Sequence, residues 1–164
     1  MEGYEFWPRW GAAGTSNTRD VEPDIFIRAS SFDLIVEAKR YDSQQQYEGQ
    51  WKNELGGYVN EYGTSKMVLL LAVGGLGDGD EQPVDIEIAG GHATVYKCQW
   101  RNLLETVRHM RNQSVSWPVR NVLDDIVKGF SLHGYTVTDW FATLSRDELD
   151  KLRPGDGLAL LQRS

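Results

Sequence analysis

The chain has 164 residues, 40% apolar and 25% charged, a balance that builds a core and excludes a disordered chain. Its 24 acidic and 17 basic side chains leave a formal charge of −7, which argues against coating nucleic acid by bulk charge but not against gripping phosphate through a local patch. The longest apolar run, residues 67–73, is far short of the roughly 20 residues of a membrane span, no leader-like segment opens the chain, and the single Cys98 excludes a disulfide framework and a cysteine-rich zinc site, so a cytoplasmic protein without membrane association is expected.

In chain order, residues 4–10 read as a short strand and 11–19 as a loop. Runs of Ile, Phe, Leu and Val at 24–28 and 32–39 read as two strands, and the small segment Ala29-Ser30-Ser31 between them predicts a hairpin. From Ser43 to about Tyr62 the spacing of Tyr47, Trp51, Leu55, Tyr58 and Tyr62 predicts a helix with a buried aromatic stripe, weakened in its second half by Gly56-Gly57. Residues 66–73 form a buried strand, 74–83 a turn-rich acidic loop, and 84–88 and 93–98 two further strands. A helix over 101–113 sets Leu103, Leu104, Val107 and Met110 on one side. Pro118 starts another, with an apolar face of Val119, Val122, Leu123, Ile126 and Val127. Two more helix starts follow, near Thr138-Asp139 and at Ser145-Arg146-Asp147-Glu148, with a stop at Pro154-Gly155 and a final apolar run over 158–161. Strands and helices are mixed, so the class is α/β or α+β.

Charge is uneven along the chain. Between 97 and 120 stand Lys97, Arg101, Arg108, Arg111 and Arg120 against the single acid Glu105, while 73–95 holds only acids. The basic stretch is either a solvated face or the one place where an acidic protein holds a phosphate backbone.

The hairpin carries the chemistry. A turn centred on Ser30-Ser31 pairs residues whose numbers sum to 61, so Arg28 faces Asp33 and Asp24 faces Glu37. Side chains alternate along a strand, which puts Glu37 and Lys39 on one face and Leu34, Val36 and Ala38 on the other. Two ionised carboxylates so close repel each other, and a hard divalent cation with oxygen ligands resolves the conflict. Lys39 would then stand beside the ion, able to position or deprotonate a water or to stabilise charge on phosphate. The bland alternative is a half-exposed sheet on which Asp24 and Glu37 face solvent and Lys39 is a salt-bridge partner.

Pro23-Asp24 followed by Glu37-Ala38-Lys39 on the next strand resembles the PD-(D/E)XK, or restriction-endonuclease-like, nuclease superfamily over roughly residues 20–73. The resemblance implies an α/β fold with a mixed β-sheet flanked by helices, and Mg²⁺-dependent (or Mn²⁺-dependent) cleavage of DNA or, less often, RNA. It makes Asp24, Glu37 and the Ala38 carbonyl metal ligands and Lys39 the catalytic lysine. Gln50 is a further candidate for orienting water, metal or phosphate. The chain departs from the family pattern in two places. The 23 residues before Asp24 do not read as the family's leading helix, and Glu2 or Glu5 would have to stand in for the acid that helix carries. Four residues after Gln50, where some branches carry Tyr, this chain has Glu54.

The expected organisation is one domain over 1–164, a nuclease-like core at 1–115 and a helical C-terminal extension at 116–164. The expected activity is metal-dependent DNA hydrolysis, endonucleolytic rather than exonucleolytic, with residues 97–120 holding phosphate. Competing readings are an inactive nuclease-fold module that binds nucleic acid or a protein, and a subunit completed by a homodimer or larger assembly. Gly74-Gly75-Leu76-Gly77 opens no helix and is no dinucleotide site, and Asp78-Gly79-Asp80-Glu81 lacks EF-hand spacing. His92, His109 and His133 show no paired-ligand spacing. Aromatic residues could stack exposed bases, but Trp51 and Trp100 fit a core, which leaves Trp7, Trp10 and Trp117 open.

Overall fold

The computed structural model describes residues 1–41, 44–77, 79–113 and 116–135. Its elements are β1 (Gly3–Phe6), β2 (Trp10–Gly11), β3 (Asp20–Val21), β4 (Ile25–Arg28), β5 (Phe32–Ala38), α1 (Glu48–Tyr62), β6 (Met67–Val73), β7 (Val84–Ile88), β8 (Gly91–Cys98), α2 (Trp100–Asn112) and α3 (Trp117–Leu132). The fold is mixed α/β. A six-stranded sheet has the order β1-β4-β5-β6-β8-β7, and β2 pairs with β3 in a separate two-stranded ribbon. The pairings β1–β4, β4–β5 and β7–β8 are antiparallel, whereas β5–β6 and β6–β8 are parallel.

The hairpin register is the one its short turn predicts: Arg28 pairs with Asp33 and Ile25 with Val36. The ladder stops at Ile25, one residue short of Asp24, so the expected Asp24–Glu37 pair is not part of it. β5 then crosses to its parallel neighbour β6 through α1, which lies on one face of the sheet. That face is the core: Phe26, Ile35, Leu70 and Val95 form a row across four strands, and Trp51, Leu55 and Tyr58 of α1 pack onto it with Trp10 and Val21. Trp10, Phe26, Tyr58 and Tyr62 meet at ring distances of 5.0–6.2 Å, mostly edge to face.

Several expectations change. The first strand ends at Phe6, because Trp7 takes a left-handed backbone (φ 49°) that no strand continues. Tyr47 caps α1 from outside and is exposed, so it leaves the aromatic stripe. Gly57 does not weaken the helix idly: a Cβ there would lie 2.9 Å from Val21 Cβ, so the glycine lets α1 approach β3. Met110 is exposed on α2. On α3, Leu123 is buried, but Val119, Val122 and Ile126 are exposed, because periodicity tells which residues share a face and not whether anything covers it. Trp100 is only half-buried. The helix starts near 138 and 145, the stop at 154–155 and the run at 158–161 lie outside the described residues, as does Asp78. Among the described residues no helix is long and apolar enough to cross a membrane.

The Gly57 contact sets two effects against each other. Alanine gains about 1 kcal/mol in helix propensity, but overpacking against a buried valine costs about 1–3 kcal/mol. Gly57→Ala is expected to lower the unfolding free energy despite its better propensity, and a shift of the urea midpoint to lower concentration checks this.

Candidate active site

Asp33, Ile35 and Glu37 alternate along the face of β5 that α1 covers, and all are buried, Glu37 to 4% exposure. A carboxylate in such a place must find partners. At the N-terminal end of β5, Asp33 has them: Tyr58 Oη donates to Oδ2 at 3.0 Å and Lys66 Nζ to Oδ1 at 2.8 Å. Burial first, and then Asp33, keep the Tyr58 hydroxyl protonated well above its ordinary range.

The C-terminal end is built differently. Lys39 Nζ donates to Glu37 Oε1 at 2.5 Å. Glu54 reaches the same place from α1, where it lies between Trp51 and Tyr58 on the buried stripe. Its Oε1 accepts from Gln50 Nε2 at 3.1 Å, but its Oε2 is buried with no donor. Burial above all, then the charge and hydrogen bonding of Glu37, with a smaller contribution from Asp24, push Glu54 up to about 9. These two facts explain each other. As a carboxylate Glu54 would have an orphan oxygen beside a like charge; as a carboxyl, that oxygen carries the proton and Glu37 accepts it.

Asp24 stands just ahead of β4 and is tied down twice. Its Oδ2 accepts the Ala38 N–H at 2.8 Å, and its carbonyl accepts the Trp7 N–H at 3.1 Å. Lys39 is buttressed from the other side. Its N–H donates to Val73 O at 2.8 Å and its carbonyl accepts Trp100 Nε1 at 2.6 Å. Gly75, at φ 63°, lies so close that a Cβ would meet Lys39 Cβ at 2.7 Å. The glycine run that opens no dinucleotide site therefore makes room for the lysine. Gln46 closes the arrangement, donating to Glu37 O at 3.1 Å and accepting Trp51 Nε1 at 2.8 Å.

Asp24, Glu37 and Lys39 thus gather at the carboxyl end of β5, and Gln50 joins them through Glu54. Glu37 is not solvent-facing, which removes the half-exposed form of the bland alternative. Ala38 is engaged through its N–H. Neither early acid takes part: Glu2 pairs with Lys66 at 3.4 Å, at the far end of β5, and Glu5 sits opposite Phe26 in β1. Glu54 is the acid that sequence reasoning passed over, although its spacing from Trp51 and Tyr58 marks it as inward-facing. Asp24 and Lys39 border a groove of about 380 Å³, while Glu54 and Gln50 border a polar cleft of about 220 Å³ with Glu22.

The basic stretch is partly spent within the chain. Lys97 projects from β8 with its side chain 6% exposed and is paired with Asp80, so it does not offer a charge to solvent. Arg111 pairs with Asp124 of α3 at 3.6 Å, and Arg101 donates to Gln99 Oε1 at 3.4 Å. Arg101 and Arg120 are exposed and Arg108 is half-buried.

No known family profile matches the chain. It is 30% identical, over an alignment of 164 residues, to an uncharacterized protein of Pasteurella multocida (strain Pm70). The alignment takes in 91% of this chain and 62% of that relative, so the chain spans about three fifths of the length of the protein it matches.

The residues can be tested against a divalent cation. Among the described residues no three His, Cys, Asp or Glu side chains already stand at metal-binding spacing. The oxygen donors of Asp24 and Glu37 are of the kind a hard cation takes, while Glu54, holding its proton, is not a ligand as it stands. As arranged, Lys39 and the Glu54 proton occupy Glu37.

The proton on Glu54 has a thermodynamic consequence. The unfolded chain releases it near 4.5 and the folded chain near 9. Folding therefore takes up a proton between these values, and stability falls as pH rises through that window. Glu54→Gln keeps the shape and a donor without the charge. It is expected to raise the unfolding free energy at pH 8 by about 1–3 kcal/mol and to flatten the decline from pH 5 to 9, as urea titrations at several pH values would report.

Proposed function

We propose that the chain is a restriction-endonuclease-like, metal-dependent nuclease that hydrolyses DNA phosphodiester bonds at the Asp24–Glu37–Lys39 site. The observation that carries this reading is the meeting of Glu37, Lys39 and Glu54, whose buried Oε2 has no donor, at the carboxyl end of the strand face that α1 covers. A structural salt bridge would need only one acid there. The site also lies at the carboxyl ends of β5 and β6, where parallel strands of α/β sheets hold their ligands.

Asp24 and Glu37, with the Ala38 carbonyl, would hold Mg²⁺ or Mn²⁺, which when bound supplies charge stabilisation for the phosphate and a more acidic water. Lys39, 24% exposed at its side chain, can turn its ammonium from Glu37 towards a phosphate oxygen or an attacking water. Glu54 and Gln50 steady Glu37 from behind. Exposed Arg101 and Arg120, with the half-buried Arg108, supply contacts to the phosphate backbone. The net charge of −7 then implies weak non-specific binding that salt suppresses.

A second reading is a nuclease-fold module that binds DNA or a protein without cutting. The internal pairing of Lys39 with Glu37 and of Lys97 with Asp80 favours it. Incubation with plasmid and single-stranded DNA separates the two. Cleavage is expected with Mg²⁺ or Mn²⁺ and not with EDTA, and Asp24→Asn or Lys39→Ala is expected to lower the rate at least about 100-fold. Cleavage that survives both substitutions overturns the site, and salt-sensitive binding with no cleavage in any metal supports the second reading.

A further inference from the structure

The groove beside the site has an aromatic wall that neither the fold nor the proposed chemistry uses. Phe6 and Trp7 line it together with Asp24, Ala38, Lys39 and Arg40, and its volume of about 380 Å³ lies in the range of small-ligand clefts. Phe6 is 56% and Trp7 63% exposed, and their rings stand 5.8 Å apart, tilted at 43°.

Trp7 is held there at a cost. Its φ of 49° lies in the left-handed region, which a bulky residue avoids and which costs about 1–3 kcal/mol unless its surroundings hold it. With 63% of the residue exposed, burial offsets little of that cost. What holds the residue is its N–H, which donates to the carbonyl of Asp24 at 3.1 Å. An exposed indole is thus tethered by its own backbone to the acid of the candidate site. Two cationic side chains, Lys39 and Arg40, border the groove; Lys39 is paired with Glu37 at 2.5 Å, and the one acid on the wall, Asp24, accepts the Ala38 N–H. Flat, exposed π-faces beside two cations complement a base attached to phosphate, because every nucleobase has a face to stack and every linkage a negative charge.

We propose that Trp7, with Phe6, is a stacking platform for an unpaired nucleobase adjoining the phosphate at Asp24 and Lys39. The site accordingly takes single-stranded or locally opened DNA in preference to intact duplex. Duplex bases are already stacked on one another and present no free face to an indole. This inference rests on the proposed nuclease reading and narrows its substrate.

The test measures binding apart from cleavage. Fluorescence anisotropy in EDTA compares a labelled 12-nucleotide dT strand with a duplex of the same length, using full-length protein. Trp7→Ala is expected to weaken single-strand binding roughly 10- to 100-fold, the range that one or two lost base–aromatic contacts give. Duplex binding is expected to change less than about 2-fold, and Trp7→Phe to restore most of the loss. Trp7→Gly is expected to raise the melting temperature by relieving the backbone while still losing single-strand affinity, a combination that a structural role does not produce. Single-strand affinity unchanged in Trp7→Ala overturns the platform. So does a change in sedimentation from dimer to monomer without a change in affinity, which would make the wall a protein contact. A wild-type chain that binds neither strand nor duplex removes the platform, and if it also cuts neither in Mg²⁺ or Mn²⁺ the nuclease reading goes with it. Trp7-dependent binding of single strands without cleavage in Mg²⁺ or Mn²⁺ removes the catalytic reading and leaves the platform standing.

Discussion

The polar groups around β5 are organised by one constraint: α1 lies across the face that carries Asp33 and Glu37, so two carboxylates end up in a dry place. The cost of burying a charge is far larger than any one contact can ignore. Each end of the strand answers it in its own way. Asp33 is neutralised by Lys66 and satisfied by Tyr58, and the matter closes there. Glu37 is met by one cation and by a second acid that keeps its proton. The first arrangement is self-sufficient. The second gathers three ionisable groups, one of them strongly shifted by its surroundings, and such clusters are where chemistry is ordinarily found.

Much of this was legible in the order of residues. The short turn centred on Ser30-Ser31 and the Arg28–Asp33 pair fix the hairpin register, and the register brings Asp24 towards Glu37. The crossover from β5 to β6 through a helix follows from two apolar runs separated by an aromatic stripe. What could not be read was which face of β5 the helix would cover. Leu34 and Val36 are as apolar as Ile35, so the strand reads as apolar on both sides, and nothing local decides the matter. That single ambiguity hid Glu54. A glutamate in a helix reads as solvated until the helix is known to lie over another acid.

The basic stretch illustrates a different limit. Nearness in sequence put Lys97 with Arg101 and Arg108, but the chain passes from β8 to α2 between them. Lys97 turns inward on the same face of the sheet as Glu37 and Ala72 and meets Asp80, while the arginines turn outward on a helix. A run of like charge is a property of the chain. A field that a ligand senses is a property of the surface, and here it rests on fewer residues than the run contains.

The Trp100 indole couples two parts of the molecule that otherwise touch little. It is the first residue of α2, it meets Phe130 of α3 at 5.8 Å, and its nitrogen donates to the carbonyl of Lys39 at 2.6 Å. Gly74 lies beneath it with no room even for a methyl group between indole and lysine backbone. Slack at that junction is therefore absent. The α2–α3 pair thus bears on the main chain around the lysine at two points, through the Trp100 indole and through Tyr135, whose hydroxyl donates to Arg40 O at 3.3 Å.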